Sequence, residues 1–262
     1  MSLSRGELLS AIASTLAPLD FVFALWQGGS EAHGYTDEWS DLDLRALVAD
    51  DRVDDTFAAL EAGLIQRYSM RLRYRLPEPT WHGHSQCFYQ LAEASPFLAI
   101  DFTVMQHQHP DRYLGVERHG AALIVFDKLG LIQDPPFDRT RHLAQMQVCL
   151  SEHQQTFALG QIFVLKEIYR GHLPSAIHNY HSLTLEPLVE VLGMLYRPDR
   201  YDYGFKYFDR DFPLEVKTQI EALICIGSLD DLKTKQHQAA DWFDRTLPQV
   251  QRAFPEFAEA PI

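Results

Sequence analysis

The period of the hydrophobic and polar positions changes along the chain. Leu8, Ile12 and Leu16 recur at helical spacing and predict an amphipathic helix over 4–18. "FVFALWQ" (21–27) is a short β-prone run that stops at Gly28-Gly29, and "LDLRALV" (42–48) alternates, so both read as strands. "DDTFAALEAGLIQRY" (54–68) returns to helical spacing. From Tyr68 to Val104 strands are expected in "YSMRLRYRL", "SQCFYQLAE" and "FLAIDFTVM", with "PEPTWHGH" interrupting, and a last run, "AALIVFDK", ends before Gly130. The first half is therefore mixed α and β.

Adjacent prolines in "IQDPPFDRT" (132–140) place a boundary there, giving domains 1–135 and 136–262. The second of these has helical period almost throughout. "HLAQMQVCLSEHQQTFALGQIFVLKEIYRG" closes on Gly171, a C′ glycine in type. "PSAIHNYHSLTLEPLVEVLGMLYR" forms a second helix in which Pro187 marks a kink or a fresh start. "PLEVKTQIEALICIGS" and "SLDDLKTKQHQAADWFDRTL" complete about four helices, Ser228 and Asp231 forming an N-terminal pair. The expected class is α+β: a mixed sheet with helices on one side, then an all-α bundle.

Chemistry concentrates in "LWQGGSEAHGYTDEWSDLDLRALV" (25–48). Gly28 and Gly29 permit a tight turn whose N–H groups can approach an anion closely, and a helix starting at Ser30 would offer a phosphate site. Asp41 and Asp43, two apart on a strand, share a face. Carboxylates held that close repel unless a cation sits between them, as a magnesium–triphosphate group requires. Asp101, inside the apolar run "FLAIDFTVM", is the candidate third acid. It serves either as a further metal ligand or as general base toward an acceptor hydroxyl, and spacing does not choose between the two.

The arrangement "GGS-x10-DLDL", with a later acid on a strand, resembles the signature of the nucleotidyltransferase superfamily, the polymerase-beta-like enzymes. "AALIVFDKLGLI" and "GQIFVLKEIYRGHLPSAIHNYHSLTLEPLVEVLGML" are similar to segments of its lincosamide and aminoglycoside members. The resemblance implies a nucleotidyltransferase domain followed by a helical domain. The implied reaction is magnesium-dependent transfer of a nucleoside monophosphate, with ATP the expected donor, to a hydroxyl of a small molecule. It implies that Gly29 and Ser30 bind the triphosphate, that Asp41, Asp43 and Asp101 form the acidic set, and that Lys166, with Arg170 second, meets the phosphates. The alternatives are a catalytically silent nucleotide-binding protein and a nucleotidyltransferase that modifies a protein.

Composition narrows the partners. The chain has 262 residues, 46% hydrophobic, enough for a packed core, and a net charge of −13, which repels phosphate backbones and disfavours nucleic acid. A cationic or neutral small acceptor suits that field better. Three cysteines without short spacing read as reduced thiols of a cytoplasmic protein. No run approaches the roughly 20 apolar residues needed to cross a bilayer, and the start does not read as a secretory signal. His82/His84 and His107/His109 lack the companion pair of a zinc motif. Arg197, Arg200 and Lys206 read as salt-bridge partners on a surface loop, with pocket lining as the alternative.

Overall fold

A computed structural model describes residues 3–110, 116–133 and 137–258. The fold class is α+β, a mixed six-stranded sheet with helices followed by a helical region. The chain divides into two compact units, Met1–Phe137 and Asp138–Ile262; the adjacent prolines expected to mark the boundary, Pro135 and Pro136, lie outside the described residues.

In the first unit, helix α1 (Arg5–Leu16) starts at a capping box: the Ser4 hydroxyl accepts from Glu7 N–H, and the Glu7 carboxylate accepts from Ser4 N–H at 2.8 Å. Strand β1 (Val22–Gln27) leads into a one-turn helix, α2 (Gly29–Ala32). Then come β2 (Leu42–Val48), α3 (Val53–Ile65), β3 (Met70–Arg75), β4 (Ser85–Leu91), β5 (Ile100–Gln106), the single turn α4 (Val116–His119) and β6 (Leu123–Asp127). The strands order as β3-β4-β5-β2-β1-β6, and only the central pair β2–β5 is parallel among the described strands.

Alternation along these strands sorts the two faces. Leu42, Leu44 and Ala46 of β2 join Ile100, Phe102 and Val104 of β5 in a core with Leu8, Ile12 and Leu16 of α1 and Phe57, Leu60 and Leu64 of α3. Phe57 meets Phe102 edge to face, with centroids 5.7 Å apart. The opposite face carries a smaller apolar patch, Ala24, Trp26, Leu47 and Met105, at one end, and Asp43 and Asp101 toward the other.

The second unit opens with α5 (Arg139–Tyr169), 31 residues and about 46 Å long. Asp138 caps it, accepting from Arg141 N–H at 2.9 Å. At its end Gly171 takes φ +77°, Gly171 N–H donates to the Ile168 carbonyl, and His172 N–H donates to the Glu167 carbonyl; this is a Schellman closure. The expected second helix is interrupted. It comprises α6 (Leu173–Tyr180), a π-turn (His181–Leu185) and α7 (Glu186–Tyr196). Pro187 is the reason: it has no N–H to donate to the Leu183 carbonyl four residues back, and that carbonyl accepts instead from Gln161 Nε2 of α5 at 3.0 Å. Next come a 3-10 stretch (Pro198–Tyr203), α8 (Phe208–Asp211), α9 (Leu214–Ile224) and α10 (Leu229–Ala253). The last helix runs six residues beyond the expected stop and through Pro248, because Thr246 and Val250 continue its buried face. Phe157 of α5 stacks on Phe243 of α10 at 3.7 Å in the middle of this core.

Phe243→Ala should lower the stability of the helical unit by ~3–5 kcal/mol, because both a large buried surface and the stacked partner are lost. Urea unfolding followed by near-ultraviolet circular dichroism would measure it.

Candidate active site

The candidate residues of the first unit assemble around the parallel pair β2–β5. The register sets Asp43 directly beside Asp101, and Arg45 beside Thr103. Because side chains alternate, Asp43, Arg45, Asp101 and Thr103 share the face opposite α1 and α3. Asp41 stands one residue before β2 and is exposed; its Oδ1 accepts from the Ala99 amide at 3.0 Å, at the entrance to β5. The three carboxylates are therefore neighbours, but they are not drawn to within 4.8 Å of one another. Asp41 does not share the pleat of β2 with Asp43, as two residues of one strand would, because it stands before the ladder.

The glycine turn is built onto this face. Gly28 N–H donates to the Asp43 carbonyl at 3.0 Å, so the turn continues the β1–β2 pairing. Gly29 has φ +58°, and a Cβ there would lie 1.8 Å from Asp43 Oδ2; a Cβ at Gly28 would lie 2.8 Å from Arg45 Nη1. Gly29 is thus demanded by its backbone and by the approach of Asp43, whereas a side chain at Gly28 would have to displace the end of the Arg45 side chain. The Ser30 hydroxyl oxygen is buried and has no hydrogen-bond partner among the described residues. The expected helix after Ser30 is a single turn, too short to sum a sizeable dipole; its useful feature is the first-turn N–H groups, which have no intrahelical acceptor. The loop behind it is tied down: Arg5 pairs with Glu31 at 3.1 Å, and the Ser40 hydroxyl donates to Asp37 at 2.8 Å.

Asp101 is the electrostatic focus. Burial pushes its carboxyl above the ordinary range, a hydrogen bond from Gln86 opposes this, and the charges of Asp43 and Asp41 raise it further against the attraction of Arg45. Gln86 Nε2 donates to Asp101 Oδ1 at 2.5 Å, and Gln86 Oε1 accepts from His82 Nε2 at 2.8 Å. His82 Nδ1 in turn accepts from His84 N–H at 3.2 Å, which fixes the tautomer. Sequence reasoning missed this relay and Arg45. Arg45 was accessible from its spacing, two residues past Asp43 on the same face; Gln86 had no local signal, since it reaches Asp101 only through the β4–β5 pairing.

Lys166 and Arg170 are exposed on and just after α5, in the second unit, with Arg170 paired to Glu167. Arg197 is not on a surface loop: it is 5% exposed, donates to the Lys206 carbonyl at 2.6 Å and pairs with Asp211, which also takes Arg200 at 3.1 Å. These arginines hold the segment after α7. His84 and His109 stack edge-on at 4.5 Å, and His107 lies against Phe23. No described helix is long and apolar enough to cross a membrane.

No family model matches the chain, and no curated protein matches it. Among solved structures it is similar to an aminoglycoside 6-adenyltransferase from Bacillus subtilis, at 10% identity and a TM-score of 0.41, over 97% of this chain and 92% of that one.

Gly29→Ala should destabilise the first unit by more than ~1 kcal/mol, since both the backbone angle and Asp43 oppose a methyl group there. Chemical denaturation would show it. Asp101 has a pH signature in metal-free protein. An acid that is harder to ionise when folded gives its full stability below the ordinary carboxylate pKa, and that contribution is lost as pH rises through the elevated value. Asp101→Asn should flatten this loss, read as the urea midpoint against pH in the presence of a chelator.

Proposed function

We propose that the protein is a nucleotidyltransferase that moves a nucleoside monophosphate from a nucleoside triphosphate to a hydroxyl of a small molecule. The observation that carries this reading is the closure of the Gly28-Gly29-Ser30 turn onto the Asp43 carboxylate, beside Asp101 in the next strand. It is the local geometry that the resemblance in "GGS-x10-DLDL" implies.

The residues fit a magnesium–polyphosphate group. The cradle over Asp43 admits no side chain at Gly29, the buried Ser30 hydroxyl lacks a partner among the described residues, and burial, with the charges of Asp43 and Asp41 added, makes Asp101 hard to ionise, a repulsion a cation relieves. Asp41 and Asp43 would hold the ion, and Asp101 beside them would face the acceptor. Magnesium, when bound, supplies the hard positive charge that neutralises phosphate oxygens during transfer.

The chain's own groups then divide the work. The N–H groups of the Gly29–Ser30 turn and the Ser30 hydroxyl donate to phosphate oxygens. Gln86 holds Asp101 Oδ1, which leaves Oδ2 to take the proton of the acceptor hydroxyl. The acceptor oxygen bonds to the α-phosphorus as the bridge to the β-phosphate breaks, and pyrophosphate leaves with that electron pair. His82 positions Gln86. A net charge of −13 favours a cationic acceptor, as an aminoglycoside or lincosamide would be, and ATP is the expected donor.

The test measures pyrophosphate release with each of the four common triphosphates, magnesium and a panel of hydroxylated small molecules. Asp41→Asn and Asp43→Asn should each lower kcat/KM by at least ~100-fold with the circular dichroism spectrum unchanged. Full activity in those variants overturns the assignment. Triphosphate binding in a thermal shift without pyrophosphate release, across the panel, would favour the silent binding protein.

A further inference from the structure

The helical unit holds a second cluster of chemistry-bearing side chains. Cys149 and His153 stand four residues apart on α5, hence on one face, and Glu190 of α7 meets them. His153 Nε2 lies 2.6 Å from Glu190 Oε2, and the Cys149 thiol donates to the same oxygen at 3.7 Å. Among the described residues, this is the one group of three histidine, cysteine or carboxylate side chains whose ligand atoms all lie within 4.8 Å of one another. We propose that Cys149, His153 and Glu190 bind a transition-metal ion of the zinc class.

Donor chemistry selects the ion. A thiolate, an imidazole and a carboxylate together suit zinc, whereas magnesium and calcium take oxygen ligands. The spacing is close to what zinc needs. Bonds of about 2.1 Å to nitrogen and oxygen and about 2.3 Å to sulfur, at tetrahedral angles, put sulfur about 3.6 Å from oxygen and nitrogen about 3.4 Å from oxygen. The sulfur–oxygen distance already matches, and His153 needs to withdraw by less than an ångström. The cluster is reachable without being open: the side chains of His153 and Glu190 are 17% and 29% exposed, and Cys149 is half-buried. Glu152 and Asp202 add to the negative potential at the sulfur.

On binding, the thiol proton leaves to solvent and the ion takes its place, so one divalent charge meets one thiolate and one carboxylate. Three protein ligands leave a fourth position for water. The ion would bridge α5 to α7, joining helices whose closest polar contact at this level is the His153–Glu190 hydrogen bond.

The experiment uses the full chain, stripped with a chelator and titrated with cobalt(II) as a spectroscopic stand-in for zinc. The expected result is a near-ultraviolet thiolate-to-cobalt charge-transfer band that saturates at one equivalent, is displaced by zinc, and disappears in Cys149→Ser. His153→Gln and Glu190→Gln should weaken cobalt binding by more than ~10-fold. Asp43→Asn should leave the band unchanged, which separates this site from the acidic face of the sheet. No such band in the intact chain overturns the proposal without reference to any variant. A band that persists in Cys149→Ser also overturns it, since another sulfur would then be responsible.

Discussion

Parallel pairing of β2 with β5 is the constraint on which the first unit depends. Two strands that run the same way, in register, place Asp43 beside Asp101 on one face and Leu44 beside Phe102 on the other. A slip of one residue in either strand would send that strand's acid into the α1–α3 core and expose its apolar set. The apolar face therefore holds the acidic face in place: Leu42, Leu44, Ile100 and Phe102 are each no more than 1% exposed, and that burial opposes the repulsion of the carboxylates.

The acidic face carries a local cost. Asp101 sits where its charge is poorly solvated and where Asp43 and Asp41 repel it, with Gln86 and Arg45 as partial compensation. A fold selected for stability alone would place an apolar or neutral polar residue there. The same locality uses two glycines, one at positive φ, and buries a hydroxyl without a partner among the described residues. Three departures from local optimality within one turn and two strands suit a site whose missing interactions come from a ligand, which is the basis of the proposed nucleotidyl transfer.

The second unit obeys a different logic, in which single polar residues join helices. Gln161 receives Thr184 and Gln236 on its carbonyl oxygen, at 2.8 and 2.9 Å, and gives its amide to the Leu183 carbonyl that Pro187 leaves without a donor. One side chain thus links α5, the π-turn and α10. About two turns nearer the start of α5, Cys149 and His153 make a comparable junction with Glu190, and the donor types there point beyond a plain hydrogen-bonded contact to a metal.

What the sequence determined by itself was set by short-range rules. The change from alternating to helical period placed the strands and the helical half; the alternation of "LDLRALV" set Asp43 on the face opposite Leu42 and Leu44; Gly171 and Pro187 each marked a real break. Each of these depends on residues within a few positions of one another, where backbone geometry is local. Tertiary structure decided the rest. Gln86 and His82 reach Asp101 only because β4 lies antiparallel to β5, and Asp41 falls outside the ladder because pairing starts at Leu42. Glu190 meets Cys149 and His153 from 37 residues away, counted from His153, because helix packing brings α7 to α5. Strand neighbours and helix contacts are chosen by burial summed over a whole unit, and a single local window does not contain that sum.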